Sequence, residues 1–251
     1  VAWQTAPGEG VQIRNAQIKI TTHDVIIRYL KVRSGDAATS SNPDDRDALT
    51  NNDAYNIVVD HSTMIWGPDV GGITFLKTTH DATVSNSIIG EGLFRSKHSE
   101  ALLDKGHSMS INITELDANA SPTRITVYQN LITTSRDRNP RIIGGNNVEL
   151  VNNVIYNWGG SSAQGNPRSA NIINNMFIPG PLTPANARFA FMPKAEAGGS
   201  LRSGTVYLSG KVVEGTSNQG DDPQSTYTKT RTKLQGIVAV SETKTPAEAP
   251  A

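Results

Sequence analysis

Apolar residues recur along this chain in pairs five positions apart, with polar residues between: Ile27 and Val32, Val59 and Met64, Val84 and Ile89, Val127 and Ile132, Leu150 and Ile155, Ile172 and Phe177. The first members follow one another at intervals of 32, 25, 43, 23 and 22 residues. The shortest intervals match one coil of a stacked solenoid, in which successive repeats share one continuous core. The longer ones read as coils carrying loop insertions, roughly over 34–54 and 94–123. No long window shows the i, i+3, i+4, i+7 spacing of an amphipathic helix. The pattern therefore predicts short strands stacked as a parallel β-helix.

A second pattern runs in phase with the first. Three places after each first member stand Leu30, Ser62, Ser87, Asn130, Asn153 and Asn175. One place earlier stand Tyr29, His61, Asn86, Gln129, Asn152 and Asn174. Asparagines stacked at a bend can pass side-chain hydrogen bonds from coil to coil, and they tolerate left-handed backbone angles. An antiparallel sandwich also offers short strands with turn signals, but the ladder favours the β-helix. The β-helix is predicted to occupy 1–215, and 204–240 reads as a last coil plus a packing segment. Ser, Thr, Lys and Gln dominate 216–251, which reads as a C-terminal packing segment ending in a flexible tail.

Composition narrows the partners. Twenty-three Lys and Arg cancel twenty-three Asp and Glu, so no global field recruits nucleic acid or a membrane surface. A polyanion would need a local patch. The absence of cysteine excludes a disulfide framework and thiolate metal sites. No apolar run approaches the ~20 residues that span a bilayer. The chain opens at Val1 without a signal peptide, as a mature or trimmed product would.

One local patch stands out. Ser135-Arg136-Asp137-Arg138-Asn139-Pro140-Arg141 sets three guanidinium groups within six residues, shortly before Asn152-Asn153-Val154-Ile155-Tyr156-Asn157-Trp158. Such a cluster repels itself unless an anionic partner offsets the repulsion. Together the two segments resemble the RNPR…NNVIYNWG signature of the bacterial pectate lyases. Further segments are similar in the same order: Gln4-Thr5-Ala6-Pro7-Gly8, the run from Asp24 to Asp36, Asp47-Ala48-Leu49, Val59-Asp60-His61-Ser62 and Pro179-Gly180-Pro181. The resemblance covers about residues 3–215. It implies an all-β, right-handed parallel β-helix whose N-terminal coils and cap lie outside this sequence. It also implies a secreted, monomeric enzyme that takes acidic plant cell-wall polysaccharide, polygalacturonate or pectin, and uses Ca²⁺.

The chemistry so implied is β-elimination. A galacturonate unit loses the proton on C5, beside its carboxylate, and expels the oxygen on C4. A divalent cation and cationic side chains stabilise the charge that develops, and Ca²⁺ accepts oxygen ligands in a flexible shell. Asp45 and Asp47, whose alternate spacing puts both on one face of an extended segment, match the family's metal-binding aspartates. Asp69 could add a third carboxylate. Val70 and Thr74 stand where the family carries further acidic ligands. Arg138 matches the arginine the family uses as base. That role comes from the resemblance alone, because the reference pKa of arginine makes it a poor base.

Arg141 is a candidate bidentate clamp for a substrate carboxylate, with Arg136 beside it. Lys105 and His107 are candidates for holding uronate. Asp60-His61-Ser62 looks like part of a hydrolytic triad, but neighbours on a strand point to opposite faces. Trp66 and Trp158 could stack on sugar rings or pack in the coil. Two other functions stay open: a polygalacturonase-type hydrolase working through paired aspartates, and a non-catalytic, glycan-binding β-helix descended from a lyase.

Overall fold

The computed structural model describes residues 4–37, 42–103, 106–116, 119–188, 190–195, 204–210, 212–215 and the backbone of Thr228–Lys229. Its strands form three parallel sheets, which the chain visits in turn, coil after coil. The first sheet has eight strands: His23–Arg28, Tyr55–Asp60, His80–Ser85, Thr123–Tyr128, Asn146–Val151, Ser169–Ile173, Thr205–Ser209 and Thr228–Lys229. The second also has eight: Val11–Arg14, Leu30–Arg33, Thr63–Ile65, Ile88–Gly90, Leu131–Thr133, Val154–Tyr156, Met176–Ile178 and Val212–Val213. The third has seven: Ile18–Ile20, Leu49–Asn52, Val70–Leu76, Met109–Thr114, Arg141–Ile143, Ala163–Asn166 and Phe191–Pro193. This is a right-handed parallel β-helix. No helix among the described residues is long and apolar enough to cross a membrane.

The five-residue pattern is the coil's inner corner. Each first member sits near the end of a first-sheet strand, and its partner sits in the second-sheet strand that follows. Ile27, Val59, Val84, Val127, Leu150 and Ile172 stack in unbroken register. Val32, Met64, Ile89, Ile132, Ile155 and Phe177 do the same one corner on. All twelve are buried, and burying an aliphatic side chain of this size contributes roughly 1.5–3 kcal/mol. The stack of coils, not any single strand, removes these residues from water.

The two bend positions divide the labour. Tyr29, His61, Asn86, Gln129, Asn152 and Asn174 all take left-handed backbone angles, with φ between 47° and 59°. That tyrosine, histidine and glutamine do so as well as asparagine shows the coil geometry overriding local preference. The next position carries the hydrogen bonds. Leu30 N donates to Ser62 Oγ, Ser62 N to Ser87 Oγ, Ser87 N to Asn130 Oδ1, Asn130 N to Asn153 Oδ1 and Asn153 N to Asn175 Oδ1, at 2.9–3.3 Å. The ladder thus crosses six coils.

One sequence expectation needs correction, and an open one is resolved. The supposed insertions contain strands of the third sheet, Leu49–Asn52 and Met109–Thr114. Among the described residues, the segments between the strands there are 34–37, 42–48, 91–103, 106–108, 115–116 and 119–122. Trp158, a candidate sugar platform, is fully buried. Its ring meets Phe177 edge-on and its Nε1 donates to the Ala187 carbonyl at 2.7 Å.

Candidate active site

The outward face of the third sheet carries a polar column. Lys19, Thr50, Thr74, Asn112, Arg141 and Gln164 pair in register from strand to strand, so neighbours lie about 4.8 Å apart. The segments 42–48, 91–103 and 106–108 rise beside this face and enclose a groove of about 440 Å³. Four successive coils each bring a charged or titratable group to the same level, just before a third-sheet strand: Asp47, Asp69, His107 and Arg138. Residues separated by almost a hundred positions therefore share one groove.

The acidic side is built by close backbone contact. Asp69 N donates to the Arg46 carbonyl at 3.1 Å and Ala48 N to the Val70 carbonyl at 3.3 Å, which ties the two coils together. Gly67 allows the turn between them, since a Cβ there would lie 2.1 Å from the Val70 carbonyl oxygen. Asp47 is buried and accepts from Thr50 Oγ1 at 2.6 Å and from Val70 N at 3.1 Å. Burial, and after it the charge of Asp69, pushes its carboxyl up to about 7. Asp45 is exposed in the 3₁₀ turn Pro43–Asp45 and accepts from Asn42 Nδ2.

That displacement has a measurable sign. An aspartate whose folded pKa lies above its unfolded value near 3.8 costs stability once the unfolded chain has lost its proton. Metal-free protein should therefore lose stability as pH rises from near 4 to about 7, and no further beyond. Asp47→Asn, which keeps an acceptor for Val70 N, should flatten this slope and gain about 2 kcal/mol at pH 8. Thermal melts in chelator at pH 5 and pH 8 test this; parallel pH dependence in the two proteins would refute it.

The cationic side comes from the coil that carries the arginine cluster. Arg138 has a left-handed backbone (φ 59°), and its Nη1 lies 3.8 Å from Asp69 Oδ1. The next residue, Asn139, is buried and donates to the Ser161 carbonyl at 2.9 Å while accepting from Ser110 Oγ at 2.6 Å. This plug holds the loop that presents Arg138. Arg141 lies on the column and donates to Asn112 Oδ1 at 2.9 Å. Arg136 departs from expectation: its Nη1 donates to the Gly106 carbonyl at 2.8 Å, and it lines a separate depression with Phe94 and Leu182.

One more expectation changes. His107, expected to hold uronate, is buried with both ring nitrogens engaged: Nε2 with Asp69 Oδ1 at 2.9 Å and Nδ1 with Glu100 Oε2 at 3.0 Å. Lys105 lies outside the described residues. Asp60-His61-Ser62 makes no triad. His61 is half-exposed against Asp60, whereas Ser62 faces into the ladder.

Sequence reasoning missed His98, Glu100, Lys19 and Asn112. Alternation along the third-sheet strands would have exposed Lys19 and Asn112; no sequence signal marks the other two. His98 caps the short helix Ser99–Leu102. Burial, and then the charge of His107, lowers its pKa. The hydrogen bond from His107 lowers that of Glu100.

The donor chemistry suits a hard divalent cation, because four carboxylates, Asp45, Asp47, Asp69 and Glu100, line one groove with hydroxyl and amide oxygens beside them. Asp47, buried and near a second carboxylate, is a charge that a cation would offset. Val70 is buried and apolar, so it supplies no side-chain donor. Among the described residues, the three ligand-bearing side chains that gather within 4.8 Å are Asp69, His98 and His107. Asp45 and Asp47 stand outside that group, so a calcium shell would draw on solvent or substrate oxygens as well.

No family model matches the chain. Among curated proteins, it is 30% identical over 231 residues to an Aspergillus flavus protein named "Probable pectate lyase C", covering 87% of this chain and 49% of that one. It is 31% identical over 191 residues to the Aspergillus terreus protein of the same name, covering 73% and 40%. The chain thus spans about half or less of the length of these relatives. They are fungal, whereas its motifs resemble those of bacterial enzymes. A solved structure described as "Structural insights into substrate specificity and the anti beta-elimination mechanism of pectate lyase" aligns with a TM-score of 0.52 and 16% identity, over 81% of this chain and 54% of that chain. At that identity the likeness speaks for the fold.

Proposed function

Since the chain is a homologue of the pectate lyases and shares their parallel β-helix, we propose that it cleaves polygalacturonate by Ca²⁺-assisted β-elimination, outside the cell and as a monomer. The observation that carries this reading is the shared groove. Asp45, Asp47 and Asp69 line it together with Arg138 and Arg141. Carboxylates alone would repel a polyuronate, and arginines alone would bind it without a place for a metal.

In this reading Arg141 pairs with a substrate carboxylate and sets the sugar along the polar column. Lys19 and Asn112, on the same face, add contacts to the chain of sugars. Arg138, beside Asp69, takes the C5 proton on an unprotonated guanidine nitrogen as the C4–O bond breaks; the expelled C4 oxygen takes a proton from water, which leaves an unsaturated uronate. A cation bound by Asp45, Asp47 and Asp69 would offset the charge on the reacting carboxylate. Arg136, facing Gly106, supports the loop more than the sugar.

The test is the ultraviolet absorbance of polygalacturonate incubated with the protein, with added Ca²⁺ or with chelator. The expected result is a Ca²⁺-dependent rise from the unsaturated product. New reducing ends without that rise would assign a hydrolase instead. Val70 and Thr74, standing where the family has ligands, favour a second reading as a glycan-binding β-helix. Binding of the polymer with neither signal would establish that one.

A further inference from the structure

Asp69 and the short helix Ser99–Leu102 meet through a single ring. The two nitrogens of His107 end on Asp69 Oδ1 and Glu100 Oε2, at 2.9 and 3.0 Å. His98 lies flat against the His107 ring, with ring centroids 3.6 Å apart and planes within 10°, and accepts the Glu100 backbone N–H on Nδ1 at 3.1 Å. A nitrogen lone pair lies in the plane of its ring, so two parallel stacked rings cannot both aim at one ion. Asp69, His98 and His107 form a bridge in this geometry, not a metal cage. The contacts of Asp69's carboxylate with His107, His98 and Arg138 are closest at Oδ1, at 2.9, 3.9 and 3.8 Å.

We propose that His107 is a positioning residue: it pins one oxygen of Asp69, leaving the other for a ligand in the groove, and thereby also sets the anchor of Arg138. The proposal rests on the reading of the groove as a lyase site. Groups behind a ligating carboxylate typically control affinity or activity by 10–100-fold. His107→Ala should lower both Ca²⁺ affinity, by calorimetry, and kcat by about tenfold or more, with KM for polygalacturonate changed less than about twofold. His107→Gln, whose amide can still donate to Asp69, should recover most of both losses, and it serves where the alanine variant does not fold.

Ca²⁺ calorimetry in the absence of polygalacturonate separates this proposal from the lyase reading. Unchanged Ca²⁺ affinity and kcat in a folded His107→Ala protein would overturn the proposal. Ca²⁺ affinity lost on His107→Ala in a protein without elimination activity would count against the lyase reading and for the bridge.

Discussion

Arg138→Ala should abolish elimination, with kcat reduced by about a thousandfold, while the fold and substrate binding survive. A positioned acid or base typically contributes 10²–10⁴-fold, and alanine leaves no group within reach of the C5 proton. The structure explains why the loss should appear in kcat. The Arg138 side chain sits in the groove, with its Nη1 3.8 Å from Asp69 Oδ1. The loop around it is held by Asn139, Ser110 and Ser161, none of which the substitution touches. Arg141 remains on its strand, bonded to Asn112. Initial rates of unsaturated-product formation, together with a circular dichroism spectrum, decide the matter. A variant that forms product at the full rate would falsify the assignment of Arg138 as the base.

Asn153→Ala should destabilise the fold by about 3–5 kcal/mol. Asn153 is fully buried at the centre of the ladder. Its Oδ1 accepts from both the backbone N and the Nδ2 of Asn130, at 2.9 and 3.1 Å. Its Nδ2 reaches the Val127 and Val151 carbonyls and Asn175 Oδ1, at 2.9–3.0 Å. Alanine would remove the acceptor of one buried backbone donor and the donor for several buried acceptors, on coils above and below. An unsatisfied buried group costs roughly 1–3 kcal/mol. The lowered midpoint of urea unfolding measures the effect. A change under about 1 kcal/mol would mean that the coils are held by apolar stacking alone.

The same residue shows where sequence reasoning works. Asn153 could be placed in a stack because its phase relative to Leu150 and Ile155 repeats in five other coils. The third sheet was not legible in this way. Five residues separate Ile65 from Val70, but nineteen separate Gly90 from Met109, so no fixed spacing marks its strands. The groove lies on that sheet, and for this reason Lys19 and Asn112 escaped notice. Asp45, Asp47, Arg138 and Arg141 were found through their likeness to a family signature and Asp69 as a further carboxylate from the next coil, and all five line the groove. The same likeness suggested Arg136 and His107 as direct sugar contacts, and their partners in the fold give them other work.

The sequence by itself determined the coil, its inner corner and the hydrogen-bond ladder. These depend on a pattern of burial that is local and repeats, so each coil restates the rule for the next. It also held the residue types that the chemistry requires. Only the tertiary structure decided which of them meet. Asp69, Glu100, His107 and Arg138 come together because loops of unequal length close onto one sheet, and loop-closure entropy rises only slowly with length, so neither length nor spacing betrays the partner. Whether an ionisable side chain meets substrate or holds another side chain depends on what lies beside it within a few ångströms, and that is set by the stacking of coils.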